Sequence, residues 1–198
     1  MEEQYDNALK QLRAAEEWKA KAAYFERQQA TAPDQIKGLQ AYIDNPPEPK
    51  TITIPDTTPL ADLEAALAQA ESRYKNLQTE FDLLIKEPQR RTERRIEINA
   101  ETPSLQAKIE EMKNALTASP AGADPQDPAH VQRKALQAEI EALQQQLTAY
   151  EKEKQSYDAR ADLIPLLQES SKRRLAEAEQ EAKSYRKAVG DKRRVEAE

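Results

Sequence analysis

One stretch of the sequence decides the fold: residues 60–116 read LADLEAALAQAESRYKNLQTEFDLLIKEPQRRTERRIEINAETPSLQAKIEEMKNAL. Its apolar positions recur at alternating spacings of three and four residues, at Leu60, Leu63, Leu67, Ala70, Tyr74, Leu77, Phe81, Leu84, Ile98, Thr102, Leu105, Ile109, Met112 and Leu116. The count continues without a slip through a polar patch at Pro88, Arg91 and Arg95. This alternation is typical of a coiled-coil seam, where apolar side chains of one helix fit between those of a facing helix. The stretch therefore predicts a long helix with one apolar seam.

Residues 128–190 carry a second seam of the same kind. Its positions are Leu136, Ile140, Leu143, Leu147, Tyr150, Lys154, Tyr157, Ala161, Ile164, Gln168, Ser171, Leu175, Ala178, Ala182, Tyr185 and Val189. Gly190 stands where a left-handed glycine commonly ends a helix, so we predict that the helix ends there. Two seams of similar length, joined by a short polar segment, predict an antiparallel coiled-coil hairpin.

Prolines lie at the same level of both predicted helices. If Leu116 lies opposite Leu136, Pro88 faces Ile164 and therefore lies beside Pro165. Because a proline removes one helix hydrogen bond and clashes with the preceding turn, the two prolines predict a shared kink in an elongated hairpin. The alternative is that both helices reverse there and form shorter hairpins. The unbroken register favours the kink.

Proline-rich stretches divide the chain into segments. We predict an N-terminal helical arm at 1–44 that is broken near Pro33, a proline-rich linker at 45–58, and the long hairpin at 59–198, with helices at 59–117 and 129–190 and a loop at 118–128. Thr58-Pro59 and Asp127-Pro128 each place a capping side chain before a first-turn proline, which is a helix-start signal.

The N-terminal arm keeps the same spacing, at Ala8, Ala15, Trp18, Ala22, Phe25, Gln29, Ala32, Ile36, Leu39 and Ile43. Its first half is rich in alanine, which predicts close packing along the hairpin or along a neighbouring subunit. Trp18 and Phe25 are the predicted anchors of this arm. The residue before a proline is disfavoured in the helical conformation, so a break is expected between Ala32 and Pro33.

Composition supports a purely helical fold. The 198 residues include 3 glycines, 1 histidine and no cysteine, and 30 basic against 36 acidic side chains give a net charge of −6. Strong helix formers dominate, so an all-α fold is predicted. The lack of cysteine excludes disulfides and thiolate metal sites. A mean hydropathy of −0.95 predicts no membrane span, and the start MEEQYDNALK does not resemble a signal peptide.

No residue pattern in the chain points to catalysis. His130 is the only histidine, and a metal site would need further nitrogen or sulfur ligands. The sequence contains no glycine-rich phosphate-binding motif and no zinc-ligand spacing. We therefore predict no enzyme activity, no catalytic residues, no cofactor site and no metal site.

Three basic clusters offer an alternative function in nucleic-acid binding, namely Arg90, Arg91, Arg94 and Arg95; Lys172, Arg173 and Arg174; and Lys192, Arg193 and Arg194. Acidic residues interrupt each cluster and the net charge is negative, which favours solvated helix faces with local ion pairs instead. Arg91 and Arg95 are unusual because they occupy seam positions. A charge on a seam usually marks a break, a register device or a contact with a third helix.

Three stretches resemble a known family: ALKQLRAAEEWKAKAAYFERQQATAPDQIKGLQAYI, LEAALAQAESRYKNLQTEFDLLIKEPQRRTERRIEI and LQAEIEALQQQLTAYEKEKQSYDARADLIPLLQESSKRRLAEAE. Together with the order of the breaks and the stretch YDARADLIPLL, they are similar to the N-terminal extracytoplasmic, porin-like helical region of large mechanosensitive channels. These channels belong to the small-conductance (MscS) superfamily and include the potassium-efflux-linked (MscK/KefA-like) type.

The resemblance implies a non-enzymatic periplasmic accessory domain of a mechanosensitive ion channel, involved in assembly or sensing above the membrane during osmotic stress. The implied partners are channel subunits of the same kind, a transmembrane part outside this sequence and the cell envelope, with no nucleic acid and no small-molecule substrate. The resemblance carries over no catalytic residue. The alternative from a different class is a cytoplasmic coiled-coil scaffold or the arm of an ATPase-type machine.

Overall fold

The computed structural model describes residues 2–48, 52–118 and 127–197 and contains four α-helices. They are α1 (Glu2–Asp44), α2 (Leu60–Ala118), α3 (Pro128–Ala159) and α4 (Leu163–Ala197). No β-strand occurs in these three ranges. The predicted all-α fold is confirmed, and most of the predicted loop at 118–128 falls outside the described residues.

The chain forms two compact units that each draw on three helical segments. Unit 1 comprises Met1–Pro33 and Arg90–Ala161, and unit 2 comprises Asp34–Gln89 and Asp162–Glu198. The three boundaries between the units fall after residues 33, 89 and 161. Each lies within four residues of a proline, namely Pro33, Pro88 and Pro165. The two units therefore cut across the predicted segments, since α1 and α2 each contribute to both.

In unit 1, α2 and α3 form the predicted antiparallel helix pair. Contacts move down α3 as they move up α2: Glu101 accepts a hydrogen bond from Tyr150, Lys108 pairs with Glu139, and Leu116 O accepts from Arg133. The buried apolar side chains of the pair include the seam positions Ile98, Ile109, Ile140, Tyr150 and Tyr157. The seams read from the sequence therefore form the interface.

The N-terminal helix packs along α3 within the same unit. Trp18 meets the ring of Tyr150 edge-on, with centroids 5.6 Å apart, and Lys152 pairs with Glu26 at 2.9 Å. Ala15, Ala22 and Ala32, three predicted seam positions of α1, are buried. Trp18 is confirmed as an anchor, while the half-buried Phe25 has its ring against Tyr24 of the same helix.

Unit 2 pairs α2 with α4, again antiparallel. Three ion pairs join the two helices, Arg73–Glu181 at 2.7 Å, Arg186–Glu71 at 2.6 Å and Arg193–Glu64 at 2.6 Å. The predicted register places Leu84 opposite Gln168, and the Gln168 amide donates to Leu84 O at 3.0 Å. The end of α1 also joins this unit, because Arg173 donates to Ile43 O at 3.0 Å.

Pro33 and Pro165 act differently from the prediction, whereas Pro88 lies within a continuous helix as the favoured alternative expected. α1 continues through Pro33, so the expected break at Ala32-Pro33 does not end the helix. α2 continues through Pro88, which excludes a reversal there. The other predicted long helix is interrupted by a turn at residues 160–162. In a continuous helix the Pro165 ring would clash with the carbonyl four residues before it, that of Ala161. The interruption places Pro165 in the first turn of α4, where no backbone donor is needed.

Two predicted helix signals also need correction, and one is confirmed. α4 continues past Gly190 to Ala197, and Gly190 does not have the left-handed conformation of a glycine cap. The buried Val189 and the Arg193–Glu64 pair hold this last stretch on α2. The Thr58 hydroxyl donates to Pro55 O instead of capping α2. Asp127 caps α3 as predicted, accepting a hydrogen bond from the Ala129 amide at 2.9 Å.

Candidate functional site

In unit 1, arginine, tyrosine and carboxylate side chains of α2 and α3 form a polar site, which we call the arginine–tyrosine cluster. We use that name for seven residues, Arg91, Arg94 and Arg95 of α2 and Tyr150, Glu153, Tyr157 and Asp158 of α3. The α2 residues begin three positions after Pro88, and the α3 residues occupy the last three turns of that helix. Antiparallel packing of α2 on α3 brings the two groups together.

At the centre of the cluster is an ion pair that is largely withdrawn from water. Arg94 donates to both carboxylate oxygens of Glu153, from Nε at 3.2 Å and from Nη2 at 3.4 Å. Glu153 is only 7% exposed and also accepts a hydrogen bond from the Tyr157 hydroxyl at 2.6 Å. Burial by itself would lower the pKa of Arg94, but hydrogen bonds to Glu153 and Glu97 outweigh it and raise that pKa. The Arg94 charge is therefore permanent.

The two seam arginines flank the ring of Tyr157 and reach the end of α3. The guanidinium carbons of Arg91 and Arg95 lie 5.0 Å and 5.6 Å from the Tyr157 ring centroid. Arg91, 6% exposed, donates to Arg160 O at 3.5 Å. The last carbonyls of a helix lack intrahelical donors and carry partial negative charge, so cations are favourable there.

Arg95 completes the contacts with the last turns of α3. Its Nη2 donates to Asp158 Oδ1 at 2.6 Å and to Lys154 O at 3.4 Å. The sequence pattern allowed three interpretations of a charge at a seam position: a break, a register device or a contact with a third helix. These contacts favour the second, because Arg91 and Arg95 fix the register of α2 on α3. Arg91 and Arg95 contact α3 close to its C-terminal end.

Tyr150 links the cluster to the rest of the core. Its hydroxyl donates to Glu101 at 2.5 Å and accepts from the Gln146 amide at 2.8 Å, while Arg94 lies over its ring at 5.0 Å. Burial, followed by the Glu101 hydrogen bond, raises the pKa of Tyr150. Tyr150 and Tyr157 occupy predicted seam positions, and both are buried.

Sequence reasoning found only part of this site. It singled out Arg91 and Arg95 by their seam positions but assigned Arg94 to a solvated helix face. Arg94 pairs with Glu97 on its own helix, as that reading expects, and also with the buried Glu153. Glu153 was not among the residues that the sequence singled out. Its spacing of four from Tyr157 allows the hydrogen bond between these two side chains.

The geometry of the cluster suits packing better than reaction chemistry. Both of its carboxylates are paired with arginines, Glu153 with Arg94 and Asp158 with Arg95. No group of three or more His, Cys, Asp or Glu residues that could hold a metal ion occurs in the described part of the chain. His130 lies half-buried in the first turn of α3. The arrangement can fix the register of α2 on α3.

Tyr157 gives this site a measurable pH dependence. Burial and the hydrogen bond to Glu153 raise its pKa from the usual 10 to about 12. Because the unfolded chain then loses the phenolic proton first, this residue makes folding less favourable as pH rises from about 10 to about 12. Tyr157→Phe is expected to cost about 1 kcal/mol at pH 8 through the lost hydrogen bond, and the difference should shrink by pH 11.

Urea unfolding at the two pH values would test this expectation. Tyr24→Phe is the matched control, because Tyr24 is exposed on α1 and its substitution should have the same small effect at both pH values. A Tyr157→Phe deficit that stays constant between pH 8 and pH 11 would contradict the assigned environment.

No helix among the described residues has the length and apolar character that crossing a membrane requires. No curated protein and no solved structure matches the chain. The family model described as the mechanosensitive ion channel porin domain matches residues 1–198, the full length of the sequence. The chain therefore belongs to the family of mechanosensitive ion channel porin domains.

Proposed function

We propose that the chain is a non-enzymatic accessory domain that lies on the periplasmic side of a mechanosensitive channel and contributes to channel assembly or to sensing during osmotic stress. The observation that carries this proposal is the family match over the whole sequence. The family is a channel domain and not an enzyme family. We also propose the potassium-efflux-linked type of channel as the parent protein, on the resemblance described above.

The described structure is compatible with an accessory role. Several of its ion pairs join different helices, as in the Arg94–Glu153 pair of unit 1 and the Arg73–Glu181 pair of unit 2. Such contacts hold helices in register, which suits a domain that passes displacement along its helices. Channel subunits of the same kind are the proposed partners.

Protease accessibility tests the proposed location. An antibody against the domain should detect a membrane-bound protein much larger than 22.5 kDa, and protease added to spheroplasts should remove the signal while a cytoplasmic control protein survives. A soluble band, or a membrane band that the protease does not reach, would refute the periplasmic proposal. The soluble result would favour the cytoplasmic scaffold or ATPase-arm alternative.

Deletion of the domain from its parent channel separates assembly from sensing. If the domain serves assembly, the truncated channel should lose its oligomeric band on native gels and fail to protect cells from osmotic downshock. If it serves sensing, the oligomer should persist while survival changes. A truncated channel with normal oligomer and normal survival under every shock tested would count against both roles.

A further inference from the structure

The hydrogen bond between Gln168 and Leu84 repairs a defect that Pro88 creates in α2. Proline has no backbone N–H, so the carbonyl four residues earlier loses the donor that a regular helix would supply. For Pro88 that carbonyl belongs to Leu84. The side-chain amide of Gln168, on α4, donates to Leu84 O at 3.0 Å in a part-buried position. A side chain of another helix thus replaces the missing backbone donor.

The position of Gln168 makes this replacement specific. It occupies a seam position of α4, where the pattern otherwise calls for an apolar residue, and a polar residue on a seam costs stability unless it finds a partner. Its partner is the carbonyl that Pro88 leaves without a backbone donor. At Pro165 the chain instead interrupts the helix, at residues 160–162, while α1 continues through Pro33.

We propose that α2 is a conditional helix at Pro88, kept continuous by the Gln168 side chain as long as α4 is docked. When α4 moves away, Leu84 O loses its donor and must turn toward water. The segment 84–88 then becomes a hinge, because the proline ring also crowds the preceding turn. This conformational device concerns unit 2 alone and does not depend on the proposed channel role.

A double-mutant cycle on the whole chain tests the device. The four proteins are the natural chain, Gln168→Met, Pro88→Ala and the double variant, followed by hydrogen–deuterium exchange of peptides that cover residues 84–92. Methionine keeps the size of glutamine but removes the donor. Gln168→Met is expected to speed exchange in this segment about five- to tenfold, the loss that one hydrogen bond implies.

The Pro88→Ala background gives the deciding comparison. The substituted alanine supplies a backbone N–H to Leu84 O, so Gln168→Met should change exchange there less than about twofold. Gln180→Met is the control, because Gln180 is exposed and lies twelve residues further along the same helix, so it should leave residues 84–92 unchanged in both backgrounds. Pro88→Ala by itself should raise the melting temperature, since proline is the least favourable residue inside a helix.

Two results would overturn the proposal. Equal acceleration by Gln168→Met in both backgrounds would mean that Gln168 acts only by packing. No acceleration in the proline background would mean that water satisfies Leu84 O equally well. Melting temperatures of the four proteins provide a second readout of the same coupling.

Discussion

Ile98→Ala is expected to lower the free energy of unfolding by about 3 kcal/mol, more than Arg94→Met or Tyr157→Phe. Ile98 lies in the core of unit 1 with 0% of its surface exposed. The substitution removes three carbon atoms that only neighbouring side chains touch and leaves a cavity. Two long helices joined at a seam cannot close that cavity without shifting the whole interface, so little of the loss is recovered. Urea unfolding followed by circular dichroism at 222 nm would measure it.

The same helix supplies a matched control for this prediction. Ile96 lies two residues earlier and is 64% exposed, so Ile96→Ala makes the same chemical change on the solvent side of α2. We expect it to alter the free energy of unfolding by less than about 0.5 kcal/mol. Equal losses from Ile96→Ala and Ile98→Ala would show that the seam does not face the core.

The contrast between Ile96 and Ile98 shows why much of this fold could be predicted from the sequence. A seam of alternating spacings fixes which side of a helix is buried, whatever the partner is. The seam positions Leu63, Ala70, Leu77, Ile98 and Ile109 of α2 are all buried. Antiparallel pairing followed from two seams of matched length, and the structure has that pairing in both units.

The second buried face of α3 could not be predicted in the same way. Val131, Ala138, Ala142 and Ala149 are buried although they lie off the predicted seam. They are small residues that let a third helix approach, and alanine is common on exposed helix faces as well. Composition therefore cannot distinguish an alanine that meets α1 from one that meets water.

The apolar seam does not predict where a proline interrupts a helix and where the helix continues. Pro88 and Pro165 look equivalent in sequence, but α2 continues through Pro88, whereas a turn at residues 160–162 separates α3 from the helix that contains Pro165. Gln168 donates to Leu84 O, one turn before Pro88, and Arg91 donates to Arg160 O, where α3 ends. Both hydrogen bonds join residues that lie far apart in the chain, which no local pattern contains.

The arginine–tyrosine cluster was half predicted for a related reason. Arg91 and Arg95 stood out because a charge on a seam violates the apolar pattern. Glu153 lies beside the seam, where acidic residues are common, and its burial follows from packing that the sequence pattern does not contain.

Arg94→Met is expected to lower the free energy of unfolding by about 2 kcal/mol. The methionine preserves much of the apolar stem but leaves the carboxylate of Glu153 buried without its cation, and breaking a buried pair from one side is strongly destabilising. We place the value below the range for fully buried pairs because the Arg94 side chain is 26% exposed. Tyr157 continues to donate to Glu153, which limits the loss further.

Two further proteins decide whether the orphaned carboxylate causes that loss. In the double variant Arg94→Met with Glu153→Met no charge is left buried without a partner, so we expect it to be more stable than Arg94→Met alone. Arg194→Met is the control for loss of an arginine in general, because the Arg194 side chain is 82% exposed and its pair with Asp191 is long, at 3.7 Å. Its effect should stay within about 0.5 kcal/mol, since such surface pairs contribute little. If the double variant is no more stable than Arg94→Met, the lone buried carboxylate is not the cause of the loss.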